Sequence, residues 1–169
     1  MIFERHQLSP IVRWPVVAAG LGVLLLSLPS LLFVGGDVRF LLLTLVTLSL
    51  GTRLVVKVPH AGAYVSVADS LNVLALFLFG GAPAVLLAGL SAFCASLRLT
   101  RKASTLLVSA SLSSLAMFAS AGALKALHGT VEGLPGSGMM KEFVLSLVVV
   151  AVVHAAVSAG VGLVGGAAR

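Results

Sequence analysis

The sequence predicts an all-α fold of the polytopic membrane class, a compact bundle of six transmembrane helices, from its composition, its spacing and its charge. Of the 169 residues, 59% are hydrophobic and 9% are charged, whereas soluble domains carry charges at about a quarter of their positions. The apolar residues fall into helix-length runs that glycine, proline or charged residues separate. The 11 lysines and arginines stand mainly at the ends of these runs, which is typical of membrane topology and argues against nucleic-acid binding.

The chain divides into a short lead and a single membrane domain. Residues 1–14 alternate apolar and charged side chains, so we expect an amphipathic segment at the interface with the lipid bilayer, with Trp14 at headgroup depth. Residues 15–169 form the six-helix domain. Its spans are predicted at residues 15–34, 38–50, 68–79, 82–97, 104–127 and 142–164. Pro29 should kink the first span near its outer end.

The stretch between the second and third spans has a different character. Its β-branched and aromatic residues favour extended backbone, and Pro59 and Gly62 interrupt any helix. We expect a short extended segment between helices 2 and 3 that caps the bundle or enters it. Non-helical backbone at membrane depth is tolerated where it is buried in protein or lines a cavity, so the sequence predicts a ligand cavity beneath residues 57–72.

The start of the third span carries the first candidate site residues. Ser66 and Asp69 are three positions apart, as in a capping box, although Glu or Gln is the usual partner. Helix capping is the favoured interpretation of Asp69. The alternative is that Asp69 lines the cavity together with Asn72, because an ionisable group within a span usually indicates function.

Three further residues complete the predicted ligand site. His60 and Tyr64 lie in the extended segment that would roof the cavity, and His154 lies in the middle of the sixth span. His154 is a candidate ligand contact or proton relay, and the alternative is a hydrogen bond to a serine of a neighbouring helix. No two histidines share a helix face and Cys94 is the single cysteine, so we expect no metal, no haem, no other cofactor and no disulfide.

Small residues on the first span predict close helix packing. Ala18 and Gly22 are four positions apart, so they lie on one face where a second helix can approach. Packing within the bundle is the favoured interpretation. The alternative is an interface with a partner membrane subunit or with a second copy of the chain.

The distribution of basic residues predicts the orientation. One set of span ends holds eight of them, Arg5, Arg13, Arg53, Lys57, Arg98, Arg101, Lys102 and Arg169. The other set holds three, Arg39, Lys125 and Lys141. The positive-inside rule therefore places both termini in the cytoplasm of a multi-pass protein of the bacterial inner membrane.

A resemblance to known families rests on residues 53–102. It is carried by Val58-Pro59, Gly62, Val65-Ser66, Asp69, Leu76, Leu78-Phe79-Gly80, Ala84-Val85-Leu86-Leu87-Ala88 and Leu97-Arg98. The pattern resembles the N-terminal membrane domain of bacterial signalling proteins with GGDEF or HD-GYP output domains. It is also similar in layout to the six-helix S-components of energy-coupling-factor vitamin transporters.

The resemblance implies roles for particular residues. It places Ser66 and Asp69 at the rim of a ligand pocket, and Ala18 and Gly22 on the face that docks a coupling subunit. The turn is Phe79-Gly80-Gly81-Ala82-Pro83 where the family pattern has Phe-Gly-Pro. The sequence ends at Arg169 after the sixth span, so signalling would need a partner chain or a longer form of the protein.

These observations lead to three functional hypotheses. No spaced carboxylate pair and no nucleophile–base motif stands in the sequence, so we expect no enzymatic activity. The first hypothesis is a membrane-embedded domain that binds a small molecule as a sensory input module. The alternatives are a substrate-binding subunit of a micronutrient transporter, similar to an S-component, and a structural or oligomerising membrane protein.

Overall fold

The computed structural model describes residues 10–34, 36–51, 55–57, 64–99, 102–128, 144–153 and 156–157. Its helices are α1 (Pro10–Ser27), α2 (Ser30–Val34), α3 (Val38–Val46), α4 (Val67–Phe79), α5 (Gly81–Leu99), α6 (Ala103–His128) and α7 (Val144–Val153). A π-helical segment, Thr47–Gly51, continues α3. Two short strands, β1 (Val55–Lys57) and β2 (Tyr64–Ser66), precede α4. The helices thus follow the predicted spans to within a few residues over the described parts.

The first span is one long helix and one short helix separated by a turn at Leu28 and Pro29. α1 begins at Pro10 and not at residue 15, so the end of the predicted lead is already helical. Because proline cannot donate a backbone hydrogen bond, the helix is interrupted at Pro29, as predicted. The Ser30 hydroxyl donates to the Ser27 carbonyl at 2.6 Å, which supplies a partner for a carbonyl at this break.

α3 begins with a side-chain cap and ends in the π segment. Asp37 Oδ1 accepts a hydrogen bond from the Arg39 backbone N–H at 2.8 Å, which satisfies one of the unpaired donors at the helix start. Beyond the π segment, β1 and β2 pair antiparallel with Val55 opposite Ser66 and Lys57 opposite Tyr64. The strands therefore return the chain to the start of α4.

A glycine makes the tight connection between α4 and α5. Gly80 has a φ of 84°, a left-handed conformation that costs other residues about 1–2 kcal/mol. Its N–H donates to the Leu76 carbonyl at 3.1 Å and closes the end of α4. Pro83 follows within the first turn of α5, where its missing N–H removes no intrahelical bond. This geometry holds α4 and α5 as an antiparallel pair.

The polarity of the bundle is that of a membrane protein. Three helical stretches are long and apolar enough to cross a bilayer, Arg13–Leu32, Gly81–Arg98 and Ala103–Leu127. Leu26 is 80% exposed and Leu32 is 86% exposed, whereas Ser111, Ser114 and Ser120 are fully buried. Lipid-facing leucines around an interior of small and hydroxyl residues are expected where helices associate by close packing in lipid.

Candidate functional site

A buried amide connects α4 and α5 close to the strand pair. Asn72 lies on α4, five residues after its start, and is 1% exposed. Around it, α4 and α5 form the main apolar cluster, which includes Ala75, Leu76 and Ala88. A polar side chain in such surroundings is costly unless it is hydrogen-bonded, so its partners determine what it does.

The hydrogen bonds of Asn72 orient the amide and leave one atom without a partner. Ser91 Oγ on α5 donates to the Ala88 carbonyl at 3.0 Å, so its one proton is used and it accepts from Asn72 Nδ2 at 3.1 Å. Asn72 Oδ1 is buried and has no hydrogen-bond partner in the described structure. An amide oxygen in this state lacks a donor that a ligand would supply.

A second polar atom of the same kind lies on α3. Thr44 Oγ1 is also buried and finds no partner among the described residues. The rings of Phe40 and Phe79 pack edge to face with their centroids 5.3 Å apart, so the start of α3 lies beside the end of α4. Thr44 and Thr47 follow Phe40 by four and seven residues, so all three share the face of α3 that packs on α4.

The register brings the polar residues of the two helices to similar levels. Thr47 is seven residues after Phe40, and Asn72 is seven residues before Phe79 on the antiparallel helix, so each lies about 10 Å along its helix from the ring contact. Thr44 lies about 6 Å from the same contact by the same rise. We call these four residues, Thr44, Thr47, Asn72 and Ser91, the polar seam.

Asp69 lies one turn before Asn72, in the first turn of α4. Its side chain is half-buried and takes part in an interaction of its own. Because α4 begins at Val67, Ser66 occupies the position before the helix, as the predicted capping box requires. The carboxylate thus stands at the positive end of the α4 dipole, and its proximity to Asn72 keeps both predicted roles of Asp69 open.

The other predicted ligand residues are placed less fully. Tyr64 and Ser66 are the first and last residues of β2, and the backbone alone locates them. His60 and His154 lie outside the described residues. Of the six predicted ligand residues, Asn72 and Asp69 are therefore the two whose side chains the structure positions.

Among the described residues, the close helix contact of α1 does not involve Ala18 or Gly22. Ala18 is exposed, and a Cβ added at Gly22 would meet no described atom within 4 Å. The close contact is made by Gly20, where a Cβ would lie 2.5 Å from the Cα of Ser111 on α6. Gly20, two residues from Gly22 and on another face of α1, thus makes the close contact that the structure describes, and the packing role of Ala18 and Gly22 stays a prediction.

No group of three His, Cys, Asp or Glu side chains stands close enough to hold a metal ion within the described ranges. Cys94 is a free, half-buried cysteine on α5. The atoms with which the polar seam could contact a ligand are therefore neutral oxygens, from one amide and from hydroxyl groups.

Thr44 and Ser91 were not identified from the sequence. Both belong to residue types that recur throughout the apolar helices of this chain, so composition does not distinguish them. A signal was available for Ser91: folding the two helices back at Gly80 brings Asn72, eight residues before the turn, opposite Ala88, and Ser91 lies one turn of α5 beyond Ala88. Thr44 carries no such signal, because its burial depends on the distant pairing of α3 with α4.

Comparison with known proteins adds no relative to this picture. No protein-family model, no curated protein and no solved structure matches the chain. The resemblance to signalling input domains and to S-components stays a prediction, and the polar seam is the feature of the structure that bears on function.

Proposed function

We propose that the chain is a membrane-embedded binding domain without catalytic activity that takes up a small ligand at the polar seam and serves as a sensory input module. One observation carries the proposal: the Asn72 amide is held in the interior of an apolar bundle by the bond from its Nδ2 to Ser91 Oγ, and its Oδ1 has no donor among the described residues. Proteins retain such unfavourable arrangements mainly where function requires them. A bound ligand would remove the cost by supplying the missing partner.

The position of the seam suits an input role. It lies between the short helices α3 and α4, and the strand pair β1–β2 adjoins the start of α4. Short helices with few turns and a two-stranded ribbon are the least stable elements of such a bundle. Binding between them would stabilise their arrangement, and this change is what a partner or an output domain would read.

The proposal includes six spans with both termini in the cytoplasm of a bacterial inner membrane. α5 and α6 run antiparallel, because Gly81 near the start of α5 approaches Ala121 near the end of α6. Arg98 and Lys102 therefore mark one end of the bundle and Lys125 the other. Arg39 at the start of α3 lies at the same end of the bundle as Lys125, because the neighbouring Phe40 contacts Phe79 at the C-terminal end of α4. Because the count of basic residues predicted from the sequence is eight to three in favour of the end that holds Arg98 and Lys102, the positive-inside rule favours that end on the cytoplasmic side.

The binding function can be tested without knowing which ligand binds. The full chain in lipid nanodiscs is melted in choline chloride buffer, with and without a whole bacterial small-molecule extract, beside Asn72→Leu and Ser120→Ala. We expect the extract to raise the melting temperature of the wild type and of Ser120→Ala, because a ligand that binds only the folded state stabilises it. Asn72→Leu should show no rise. Equal behaviour of all three proteins would refute the proposal.

Transport is the second candidate, and the open face of α1 favours it. Ala18 and Gly22 leave a surface that another membrane helix could approach closely. Uptake of labelled thiamine, riboflavin or biotin by cells that express the chain with a coupling subunit would support this alternative, provided that Gly22→Leu abolishes the uptake. Binding of the ligand without uptake would favour the sensory role.

A further inference from the structure

We infer that water enters the bundle beside the start of α4, through a vestibule that opens at the end marked by Arg98 and Lys102. The ligand of the polar seam, whose existence rests on the proposed function, is then a water-soluble molecule that brings an N–H or O–H donor to Asn72 Oδ1 by this route. Three features support the vestibule: the depth at which the short helices end, the backbone that joins them, and the polar side chains exposed there.

The long helices α5 and α6 indicate where the two surfaces of the bilayer lie. A Cβ added at Gly81 would lie 3.0 Å from the Ala121 side chain, so these two residues are at one level of the bundle. Arg98 is 17 residues from Gly81, and Lys125 is 4 residues from Ala121 in the opposite direction. By the rise of a helix they lie about 26 Å and about 6 Å from that level. Their separation is close to the hydrocarbon thickness of about 30 Å.

The short helices α3 and α4 stop before the level of Arg98. Val67, the first residue of α4, lies about 20 Å from the turn at Gly80, whereas Arg98 lies about 27 Å from it. On α3, Gly51 ends the π segment 11 residues after Phe40, so it lies at most about 17 Å from the ring contact of Phe40 with α4. Both helices therefore end about 7 Å or more inside the bilayer.

The backbone at the ends of these two helices is extended. β2 ends at Ser66, directly before α4, and among the described residues it pairs only with β1. A two-stranded ribbon has unpaired N–H and C=O groups along its outer edges. Such groups are not tolerated against lipid in the hydrocarbon region, although they are tolerated beside a water-filled cavity. Because the ribbon adjoins a helix start at membrane depth, a vestibule would supply the water that its edges need.

Two polar side chains in the first turn of α4 reach the surface of the protein at this depth. Ser70 is exposed and Asp69 is half-buried, and both lie about 10 Å or more below the level of Arg98. Asp69 has an interaction of its own, yet part of its surface stays uncovered. Ionisable groups within a membrane span face the bundle interior or a water-filled cavity. Since Asn72 lies one turn beyond Asp69, the vestibule leads to the polar seam.

Cysteine labelling tests the vestibule without any ligand. Cys94 is the single cysteine, so each variant is made with Cys94→Ala, and Ser70→Cys probes the vestibule. Leu90→Cys is the control for depth, because Leu90 is as far from the α4–α5 turn as Ser70 and is 45% exposed on α5. Leu74→Cys lies one turn deeper on the same face of α4 and is 43% exposed. Ala103→Cys, exposed at the start of α6, marks the aqueous end.

The variants are treated with a charged, membrane-impermeant methanethiosulfonate in inside-out and in right-side-out membrane vesicles. We expect Ser70→Cys to react from the same side as Ala103→Cys. Leu90→Cys and Leu74→Cys should react at least about a hundred times more slowly, because the reactive thiolate is disfavoured in hydrocarbon. Labelling in SDS confirms that every cysteine is present and reactive.

Three results would overturn the vestibule. Similar rates for Ser70→Cys and Leu90→Cys would show that water lies at this depth all around the bundle. The absence of reaction at Ser70→Cys would show that this face of α4 meets lipid. Reaction of Ser70→Cys only from the side opposite to Ala103→Cys would place the opening at the wrong end.

The class of the ligand is tested by partitioning the bacterial small-molecule extract between water and octanol. We expect the aqueous fraction to raise the melting temperature of the wild type and of Ser120→Ala in nanodiscs, and not that of Asn72→Leu. Stabilisation by the octanol fraction alone would refute a water-soluble ligand and leave the binding function standing. If neither fraction acts on the wild type, the binding function and its ligand are both refuted, and the labelling rates decide the vestibule independently.

Discussion

The contact of α1 with α6 and the contact of α3 with α4 both bury polar side chains. They differ in whether the buried oxygens have hydrogen-bond partners. In the first, Ser111 Oγ donates to the Val17 carbonyl across the interface at 3.5 Å, and Ser114 Oγ bonds to its own helix at Ala110. In the second, Thr44 Oγ1 and Asn72 Oδ1 have no partner among the described residues.

The difference separates packing from binding. The serines of α6 are small, so Gly20 of α1 and Gly89 of α5 can approach that helix closely. The hydroxyl of Ser114 is satisfied by a backbone carbonyl. In the polar seam, the Thr47 and Ser91 hydroxyls also bond to backbone carbonyls, but Thr44 Oγ1 and Asn72 Oδ1 are left without a partner among the described residues. Polar burial alone is therefore a poor guide to function in a membrane bundle, and the unsatisfied atom is the informative one.

The largest effect should come from the packed interface. Gly20→Leu places side-chain atoms where Ser111 now stands, with backbone only 2.5 Å from the new Cβ. Because backbone cannot move aside, we expect a loss of roughly 3 kcal/mol or more in unfolding free energy, or failure to fold. SDS titration of the refolded protein measures this loss. Gly22→Leu is the matched control and should be nearly neutral, since its Cβ meets open space.

The next effect should come from the hydrogen bond that orients the amide. Ser91→Ala removes the acceptor of Asn72 Nδ2 and leaves both ends of a buried amide unpartnered. We expect a loss of about 1–3 kcal/mol in unfolding free energy. Ser120→Ala, whose hydroxyl bonds only within its own helix, should lose about 0.6 kcal/mol. Equal losses in the two variants would remove the distinction between the two regions.

Removing both partners should cost less than removing one. The double variant Asn72→Leu with Ser91→Ala replaces the polar pair by apolar groups, so no buried amide remains to be satisfied. In ligand-free choline buffer we expect a stability within about 1 kcal/mol of the wild type, or above it. The same SDS titration measures the result. A loss larger than that of Ser91→Ala would show that Asn72 serves chiefly to hold α4 against α5.

The smallest effect compares two threonines on one helix. Thr47→Val should lose about 0.6 kcal/mol, because the Thr47 hydroxyl is satisfied by the Leu43 carbonyl at 2.7 Å. Thr44→Val should be neutral or stabilising without ligand, since its hydroxyl has no described partner to lose. Thermal melts of both variants in choline buffer, read side by side, give the sign of the difference.

Much of the fold was predictable, because membrane helices are specified by local pattern. The apolar runs located α3, α4, α5 and α6 to within a few residues, and Pro29 located the break after α1. Extended backbone was expected around Tyr64, where the structure has β2. The start of α1 at Pro10 was missed, since an amphipathic lead and the first turn of a helix have the same composition.

The candidate site was predictable in part. Asn72 and Asp69 were identified because polar residues are rare and costly within apolar helices. Thr44 was not, because threonine is common there and only the pairing of α3 with α4 distinguishes it from Thr47. Gly20 was passed over for Gly22 for a similar reason. Spacing identifies a face that can pack, but the partner helix decides which face does so.

The lengths of α4 and α6 impose a condition on the surrounding lipid. α4 has 13 residues and α6 has 26, so they measure about 20 Å and about 39 Å against a hydrocarbon core of about 30 Å. The side chains of Leu74 and Leu78 on α4 are exposed, so this short helix faces the acyl chains of the lipid. Hydrophobic mismatch therefore differs around the circumference of the bundle, and the polar seam lies beside the short helix. Changing the acyl-chain length of the lipid would therefore change the mismatch at α4, which is the helix that carries Asn72.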